Sequence, residues 1–419
     1  MNTAEKISTQ GRASVKYTDE LETRPSRPAH LRQVNARELL RLLREHNPCS
    51  KADLVRLSGL SAPTVSSAIA YLESLDLIEN LGEGESNGGR PPGLLRFHAS
   101  HGYVAGADIG GTRLRMILAD LNGKVITQWS TQFTDKQRTP KGVCTLMHDG
   151  LKVMCQEGST SLKKVLHITA GAPGITNVDA GVVISAPNLK DWDNVPLRTM
   201  IEKELGISAI VENDTNLAAV GEHWRGSAAG MENFVFIALG TGVGAGIFLH
   251  DRLHRGANWS AGEIGYMNVG GKTRSALQVR ETGELERSIG GLGIEAEWRR
   301  LLQRDRRAHD AALIKLRATE IFDLAVDGDR LAGEVVLYAA HILANCISDL
   351  ALALDPEAVI LGGGVGSHGE LCRLTERLLQ RNEFARPVIR SSSLGTQAQL
   401  QGAISISLTE TENSLLASC

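Results

Sequence analysis

From about His30, apolar residues recur at helical spacing, with Val34, Leu39, Leu40, Leu42 and Leu43 on one face, until Asn47-Pro48 ends the pattern. This predicts a first helix. Ser50, with Asp53 three residues on, caps a second helix over 51–57, which Gly59 stops. Ser61 opens a third helix over 62–75, with Pro63 in its first turn. Two short helices joined by a glycine turn form a helix-turn-helix. The chain then reads as strands at 77–81 and 94–97 around a loop at 82–89, a hairpin that acts as a wing. A winged helix-turn-helix therefore fills residues 29–97. Residues 1–28 are polar, contain Pro25 and Pro28 and lack apolar periodicity, which predicts a disordered tail.

Beyond residue 98 the pattern alternates hairpins with helices. Strands are predicted at 103–109, 113–120 and 124–133, the last two turned at Asn122-Gly123, and a helix follows Pro140. A similar hairpin recurs at 234–239 and 244–249, so two related halves are expected. The first spans 98–217, joined by a C-terminal helix at about 398–410. The second spans 218–397, with its boundary near Ala218, and holds a long helix at 334–354 and a strand at 358–361.

At 419 residues the chain is long enough for two to four domains. Hydrophobic residues at 42%, charged residues at 22% and 44 glycines are those of a soluble globular protein and exclude collagen, coiled coil and wholesale disorder. The most apolar stretch, 234–249, is interrupted by Thr241 and four glycines, so no membrane span is expected. Without an apolar core near the N-terminus there is no secretory signal, and the expected compartment is the cytoplasm. The six cysteines, with no C-x-x-C pair, then read as reduced thiols. A net charge of −3 argues against a globally basic nucleic-acid binder but leaves room for a small local module. Arg32, Arg37, Arg41 and Arg44 cluster on the first helix, and Arg90 and Arg96 lie on the wing.

Three segments could carry chemistry. Asp108-Ile109-Gly110-Gly111-Thr112 lies at a turn between strands, where glycines admit a phosphate to backbone N–H groups, Thr112 adds a donor and Asp108 can hold hydrated magnesium; a plain hairpin turn is the alternative. Gly240-Thr241-Gly242-Val243-Gly244-Ala245-Gly246 repeats the form about 130 residues on, and two facing loops would clamp a polyphosphate. Between them, Glu212-Asn213-Asp214-Thr215-Asn216 follows an apolar strand. Asp214 is a candidate base toward a substrate hydroxyl, or else the N-cap of the next helix.

Together these residues resemble the ROK family of sugar kinases and sugar-responsive repressors, whose pattern includes D-x-G-G-T, E-N-D-x-N, G-T-G-x-G-x-G and A-G-E-I-G-H. The last is matched here by Ala261-Gly262-Glu263-Ile264-Gly265. Ala172-Pro173-Gly174, Pro187-Asn188-Leu189 through Trp192, and Leu361-Gly362-Gly363-Gly364 also look like family segments, and the resemblance spans about 30–410. It implies an α/β, two-lobed actin-like fold, a duplicated ribonuclease H-like sugar-kinase architecture, behind an α+β winged helix-turn-helix. It implies a sugar in the cleft, contacted by Asn188, Asn213, Asp214, Glu263 and Glu286. Nucleotide phosphates would lie on Asp108, Gly110, Gly111, Thr112, Gly240, Thr241, Gly242, Gly244 and Gly363.

One departure stands out. The family's zinc uses the His of G-H and three cysteines, but Tyr266, Leu277, Val279 and Glu284 occupy those positions, so zinc is expected to be absent. Tyr266 also alters the sugar-facing wall. In the N-terminal unit, Ser61, Thr64, Ser66 and Ser67 offer hydroxyls to DNA from a third helix without charged residues through Leu72, and Arg90 is the candidate for the minor groove or a phosphate. The expected function is a sugar-responsive transcriptional repressor, binding operator DNA as a homodimer or dimer of dimers. It takes a sugar or sugar-phosphate effector and needs no cofactor for DNA binding. The alternative is an ATP- and magnesium-dependent sugar kinase carrying a DNA module.

Overall fold

The computed structural model describes residues 28–83, 93–186, 189, 191–270, 277–278 and 281–417. The expected tail, apart from Pro28, lies outside the described residues, as do Arg90, Asn188 and Val279. The chain divides into two compact units, Met1–Phe97 and His98–Cys419.

The first unit holds α1 (Pro28–Glu45), β1 (Cys49–Ser50), α2 (Lys51–Ser58), α3 (Ala62–Ser74), β2 (Ile78–Glu83) and β3 (Gly93–Phe97). The apolar stripe of α1 buries Leu39, Leu40 and Leu43 against Leu54 of α2 and Ile69 and Leu72 of α3, all at most 1% exposed. Val34 falls off that stripe and is 48% exposed. Ser50 and Asp53 form the capping box that starts α2, and Gly59 ends it at φ +67°. The sheet runs β1-β3-β2 and is antiparallel.

Arg32, Arg41, Arg44 and Arg96 are engaged within the unit. Arg41 pairs with Glu38 and Glu45, Arg96 with Glu79. The guanidinium of Arg44 lies 4.6 Å from the Phe97 ring and that of Arg32 5.4 Å from the Tyr71 ring. The ion pairs are solvent-exposed, with the Arg41 side chain 52% and that of Arg96 47% exposed, and so add little to stability.

The second unit opens with β4 (Tyr103–Ile109), β5 (Arg113–Asp120), β6 (Val125–Gln132), α4 (Pro140–Glu157), β7 (Val165–Ala172), β8 (Ile175–Asn177), β9 (Val182–Ser185), α5 (Leu197–Leu205) and β10 (Ser208–Asn213). There follow α6 (Asp214–Arg225), β11 (Phe234–Leu239), β12 (Val243–Leu249), β13 (Arg252–Leu253), α7 (Glu284–Ile289), α8 (Gly291–Leu302), α9 (Ala311–Ile314), α10 (Ala318–Val326) and α11 (Arg330–Leu354). Then come β14 (Ala358–Gly362), α12 (Gly363–Gly366), α13 (Gly369–Leu379), β15 (Val388–Ser391) and α14 (Ala398–Ala417).

Two five-stranded sheets result, in the orders β10-β7-β4-β5-β6 and β13-β12-β11-β14-β15. In each, the first three strands in chain order form an antiparallel meander, and the fourth and fifth add in parallel beside the first. The two halves therefore share one topology. Each sheet buries one face under its own helices, α4 and α5 on the first, α8, α10, α11 and α13 on the second.

The opposite faces are covered by an exchange of helices. α6 leaves the first sheet and packs on β11 and β12, while α14 leaves the second and packs on β4 and β7. The boundary expected near Ala218 thus falls inside α6, whose Ala218 and Ala219 are buried with Phe234, Phe236 and Phe248 of the second lobe. The two helices meet where neither carries a side chain: a Cβ on Gly402 would stand 1.8 Å from the Leu217 carbonyl oxygen, and one on Gly221 2.1 Å from that of Ala398. Glu222, fully buried, fastens the approach to α14 by accepting the Leu394 N–H at 3.1 Å, the Ser227 N–H at 2.7 Å and the Ser392 hydroxyl.

Among the described residues, one helix, α11, is long and apolar enough by composition to cross a membrane, with an 18-residue window of mean hydropathy 1.7. It buries Leu331, Val335, Val336, Leu343 and Ile347 in the second lobe. Among the described cysteines, Cys49, Cys144, Cys155 and Cys346 are buried free thiols, Cys372 is half-buried, and none is in a disulfide.

A buried polar knot locks α14 onto the first sheet. The Ser407 hydroxyl lies 3.1 Å from His167 Nδ1 and 2.7 Å from the Thr169 hydroxyl, and donates to the Ala105 carbonyl. Burial lowers the His167 pKa from 6.5 to about 4. Between those values the unfolded chain binds the proton and the folded one resists it, so stability rises with pH. Acidifying from pH 6.5 to 4 should remove about 3 kcal/mol. His167→Gln, which does not titrate, should flatten that stretch of a melting-temperature profile.

Candidate functional site

The parallel strands β4, β7 and β10 of the first lobe end on the same side, and so do β11 and β14 of the second, where open α/β sheets bind ligands. β4 ends in Asp108-Ile109, followed by the turn Gly110-Gly111-Thr112. β10 ends in Asn213, directly before Asp214. β11 and β12 are joined by Gly240-Thr241-Gly242, and β14 is followed by Gly363.

Gly111, Thr112, Thr241 and Gly363 are exposed, and nothing lies within 4 Å of where a Cβ on Gly111 or Gly240 would stand. These positions leave backbone open to a ligand. Gly244 differs: its Cβ position faces the Thr215 side chain at 3.1 Å, so this glycine serves the packing of β12 on α6. Gly363, at φ +80°, is required by its turn, since a Cβ there would meet the Leu239 carbonyl oxygen at 2.3 Å.

Asn213, not Asp214, caps α6. Its Oδ1 accepts the Asn216 N–H at 2.9 Å and its Nδ2 donates to the Gly174 carbonyl at 2.9 Å. Both ends of that amide are thereby committed to backbone. Asp214 is the first residue of the helix, and its Oδ1 accepts the Thr215 N–H at 2.7 Å. Burial, followed by the neighbouring Asp108 charge, raises the Asp214 pKa from 3.8 to about 7. Such a carboxyl exchanges its proton near neutrality, the property asked of a general base.

Glu263 sits on the loop after β13, and burial together with the charge of Glu286 raises its pKa. Tyr266 is likewise raised, by burial first and then by Glu263 and Glu286. Asp108, Asp214, Glu263, Tyr266 and Glu286 therefore form one electrostatically coupled cluster. Glu286, on α7, has a structural tie as well, since its Oε2 accepts the Val243 N–H at 3.0 Å and holds the second glycine loop.

Two arginines that the sequence reading gave no role complete the site. Arg255 donates from Nε to Oε2 of Glu212 at 2.7 Å, with the Glu212 side chain only 1% exposed. The other Glu212 oxygen accepts the Asn213 N–H at 2.9 Å and Asn216 Nδ2 at 3.0 Å. This buried carboxylate ties the loop carrying Glu263 to the strand end carrying Asp214, across the two lobes. Arg115 donates to Oδ2 of Asp108 through Nε at 2.9 Å and through a terminal nitrogen at 2.6 Å. Its signal was available, because the β4–β5 meander sets Arg115 directly opposite Asp108.

Asp108 is the group proposed above to hold magnesium, and it does not fit that task here. Its charge is already met by a guanidinium that never deprotonates, with side-chain exposures of 8% for Asp108 and 16% for Arg115. At the zinc positions, Leu277 is 66% exposed and offers no donor atom, and the Tyr266 phenol is not a zinc ligand of the usual Cys, His, Asp or Glu set. Among the DNA candidates, Ser61, Ser66 and Ser67 are exposed on α3. Ser61 caps the helix, its hydroxyl 2.8 Å from that of Thr64, while Ser66 and Ser67 project from the exposed face.

A xylose repressor from Caldicellulosiruptor bescii is 27% identical over 388 residues, covering 91% of this chain and 96% of that protein. A glucokinase from Halalkalibacterium halodurans is 32% identical over 276 residues, covering 64% of this chain and 82% of that protein. A solved ROK family transcriptional regulator, a homologue of the E. coli MLC protein, superposes with a TM-score of 0.77 over 93% of this chain and 98% of its own, at 22% identity, a likeness of fold. The two-lobed unit is thus the actin-like sugar-kinase architecture. The model of the ROK family matches residues 104–410, a span that holds both glycine loops, the Asp214 strand end and the Glu263 loop, and the chain belongs to the ROK family.

Proposed function

We propose that this chain is a sugar-responsive transcriptional repressor. Residues 28–97 bind operator DNA as a winged helix-turn-helix, and a sugar in the cleft lined by Asp214, Glu263 and Tyr266 shifts the protein between DNA-bound and released states. One observation carries the reading: a helix-turn-helix unit and a carboxylate cleft occur in one chain that spans 96% of a xylose repressor. Ser66 and Ser67 on α3 and Arg90 beyond β2 are the groups offered to DNA. A homodimer or dimer of dimers on a pseudo-palindromic site, acting in the cytoplasm and without zinc, completes it.

Ligand binding at Asp214, the first residue of α6, supplies a route for the response. α6 crosses between the sheets, so a sugar that bridges Asp214 and Glu263 favours one lobe arrangement over another and shifts that equilibrium.

The test uses a duplex selected from random-sequence DNA by the full-length chain. Truncation to residues 99–419 should abolish binding, and Arg90→Ala should reduce the slope of log affinity against log salt by about one. Operator binding that survives the truncation refutes the assignment. Kinase activity is the second reading, favoured by the near-neutral Asp214 and by the glucokinase likeness. Sugar-dependent ADP release by the unmodified protein at about 1–100 per second would establish it instead.

A further inference from the structure

The first glycine loop carries its own cation. Asp108 closes β4 at the mouth of the cleft, and Arg115, its cross-strand partner on β5, places two donors on one of its oxygens. The same guanidinium donates to the Thr396 carbonyl and lies 3.5 Å from Gln399 Oε1, at the start of α14. The Asp108 carboxylate on one side and the start of α14 on the other therefore fix Arg115. A flexible surface arginine could swing away from an incoming ion, but this one is 16% exposed.

We propose that Arg115 stands in for the divalent metal that Asp108 would otherwise recruit, so that the cleft takes its ligand without a metal-nucleotide complex. The inference deepens the repressor reading and rests on it: a sensor needs a bound sugar, whereas phosphoryl transfer needs a metal to bridge and neutralise phosphate oxygens. A fixed guanidinium paired with Asp108 weakens the favourable field for a dication there, and hydrated magnesium gives up its waters reluctantly even for a full carboxylate charge. The arrangement also retains a role for Asp108, since it holds Arg115 against α14, one of the two helices that cross between the lobes.

The test titrates Mn2+, a paramagnetic stand-in for magnesium, into the full-length chain and reads water-proton relaxation. The parent should show no site dependent on Asp108. Arg115→Met, which keeps the stem and removes the charge, should gain one Mn2+ per chain, with affinity improved by about 10–100-fold, the range over which groups around a metal ligand act. Arg115→Lys should gain nothing, and Asp108→Asn added to Arg115→Met should erase the gain. A parent site that Asp108→Asn removes, or a folded Arg115→Met that gains no site, overturns the proposal.

A second measurement needs no variant. AMPPNP titrated into the parent by calorimetry should bind no more tightly in excess magnesium than in EDTA, and a magnesium-dependent gain of tenfold or more would overturn the inference. Operator binding by the same preparations reports separately on the repressor reading. Its loss would refute that reading while the metal result stood.

Discussion

Arg255→Ala should destabilise the His98–Cys419 unit by about 3 kcal/mol, because it leaves the buried Glu212 carboxylate without its counter-charge. The figure lies at the low end for a broken buried pair, since the Arg255 side chain is 37% exposed and water can reach part of the gap. Glu212 cannot turn outward to solvent, because its other oxygen is held by the Asn213 N–H and by Asn216. Combining Arg255→Ala with Glu212→Gln should recover most of the loss: glutamine retains an acceptor for those two donors and removes the unpaired charge. Urea unfolding of parent, single and double variants checks this. A single variant within about 0.5 kcal/mol of the parent would show that the pair is ornamental. Ligand affinity should fall along with stability, since Arg255 secures the Glu263 loop against the strand end that bears Asp214.

Asp214→Asn should act in opposite directions on stability and on binding. The folded-state pKa of about 7 lies above the unfolded 3.8, so between those values the folded chain binds more protons and stability declines as pH rises. At pH 8 the charged, crowded carboxylate therefore costs the ligand-free fold about 2–4 kcal/mol, which an amide of the same shape should recover. Sugar binding should respond inversely. An ionised Asp214 accepts a hydroxyl proton or hydrogen bond, so affinity in the parent should fall about tenfold per unit as pH drops below 7, whereas Asp214→Asn should bind weakly and without that slope. Calorimetric titration across pH 5.5–8.5, paired with melting curves, measures both arms. A parent affinity that is flat through pH 7 would remove Asp214 from the binding machinery. The same carboxylate would thus trade folding stability for a proton acceptor where the two lobes meet, a compromise typical of functional sites.

The helices and strands were legible because their signals are local. The Ser50–Asp53 capping box, the Gly59 stop and the strand at Tyr103–Ile109 depend on neighbours within a few residues, and α1 needed only its own periodicity. The repeat of a glycine hairpin announced two halves that share one topology. Asp214 stood out because a carboxylate just after an apolar strand faces the cleft side of an open α/β sheet. Misplaced features were those where two local rules competed. Asn213 and Asp214 are both good caps, and only the backbone geometry around Gly174 and Asn216 selected Asn213. The lobe boundary expected near Ala218 falls inside α6, which packs on β11 and β12 of the second sheet, whereas the C-terminal helix expected to join the first half does pack on β4 and β7 as α14.

The sequence by itself determined the N-terminal helices and hairpin, the leading hairpin of each half, the family, the glycine loops and the carboxylates near the strand ends, since each is written within a short window of residues. The tertiary structure alone decided what those groups face. It put Arg255 against Glu212 from 43 residues away and fixed Arg115 between Asp108 and Thr396. It also buried Asp214, beside Asp108, and so raised its pKa to about 7. A charge's behaviour depends on distance and on the water removed around it, and neither quantity is a property of its position along the chain.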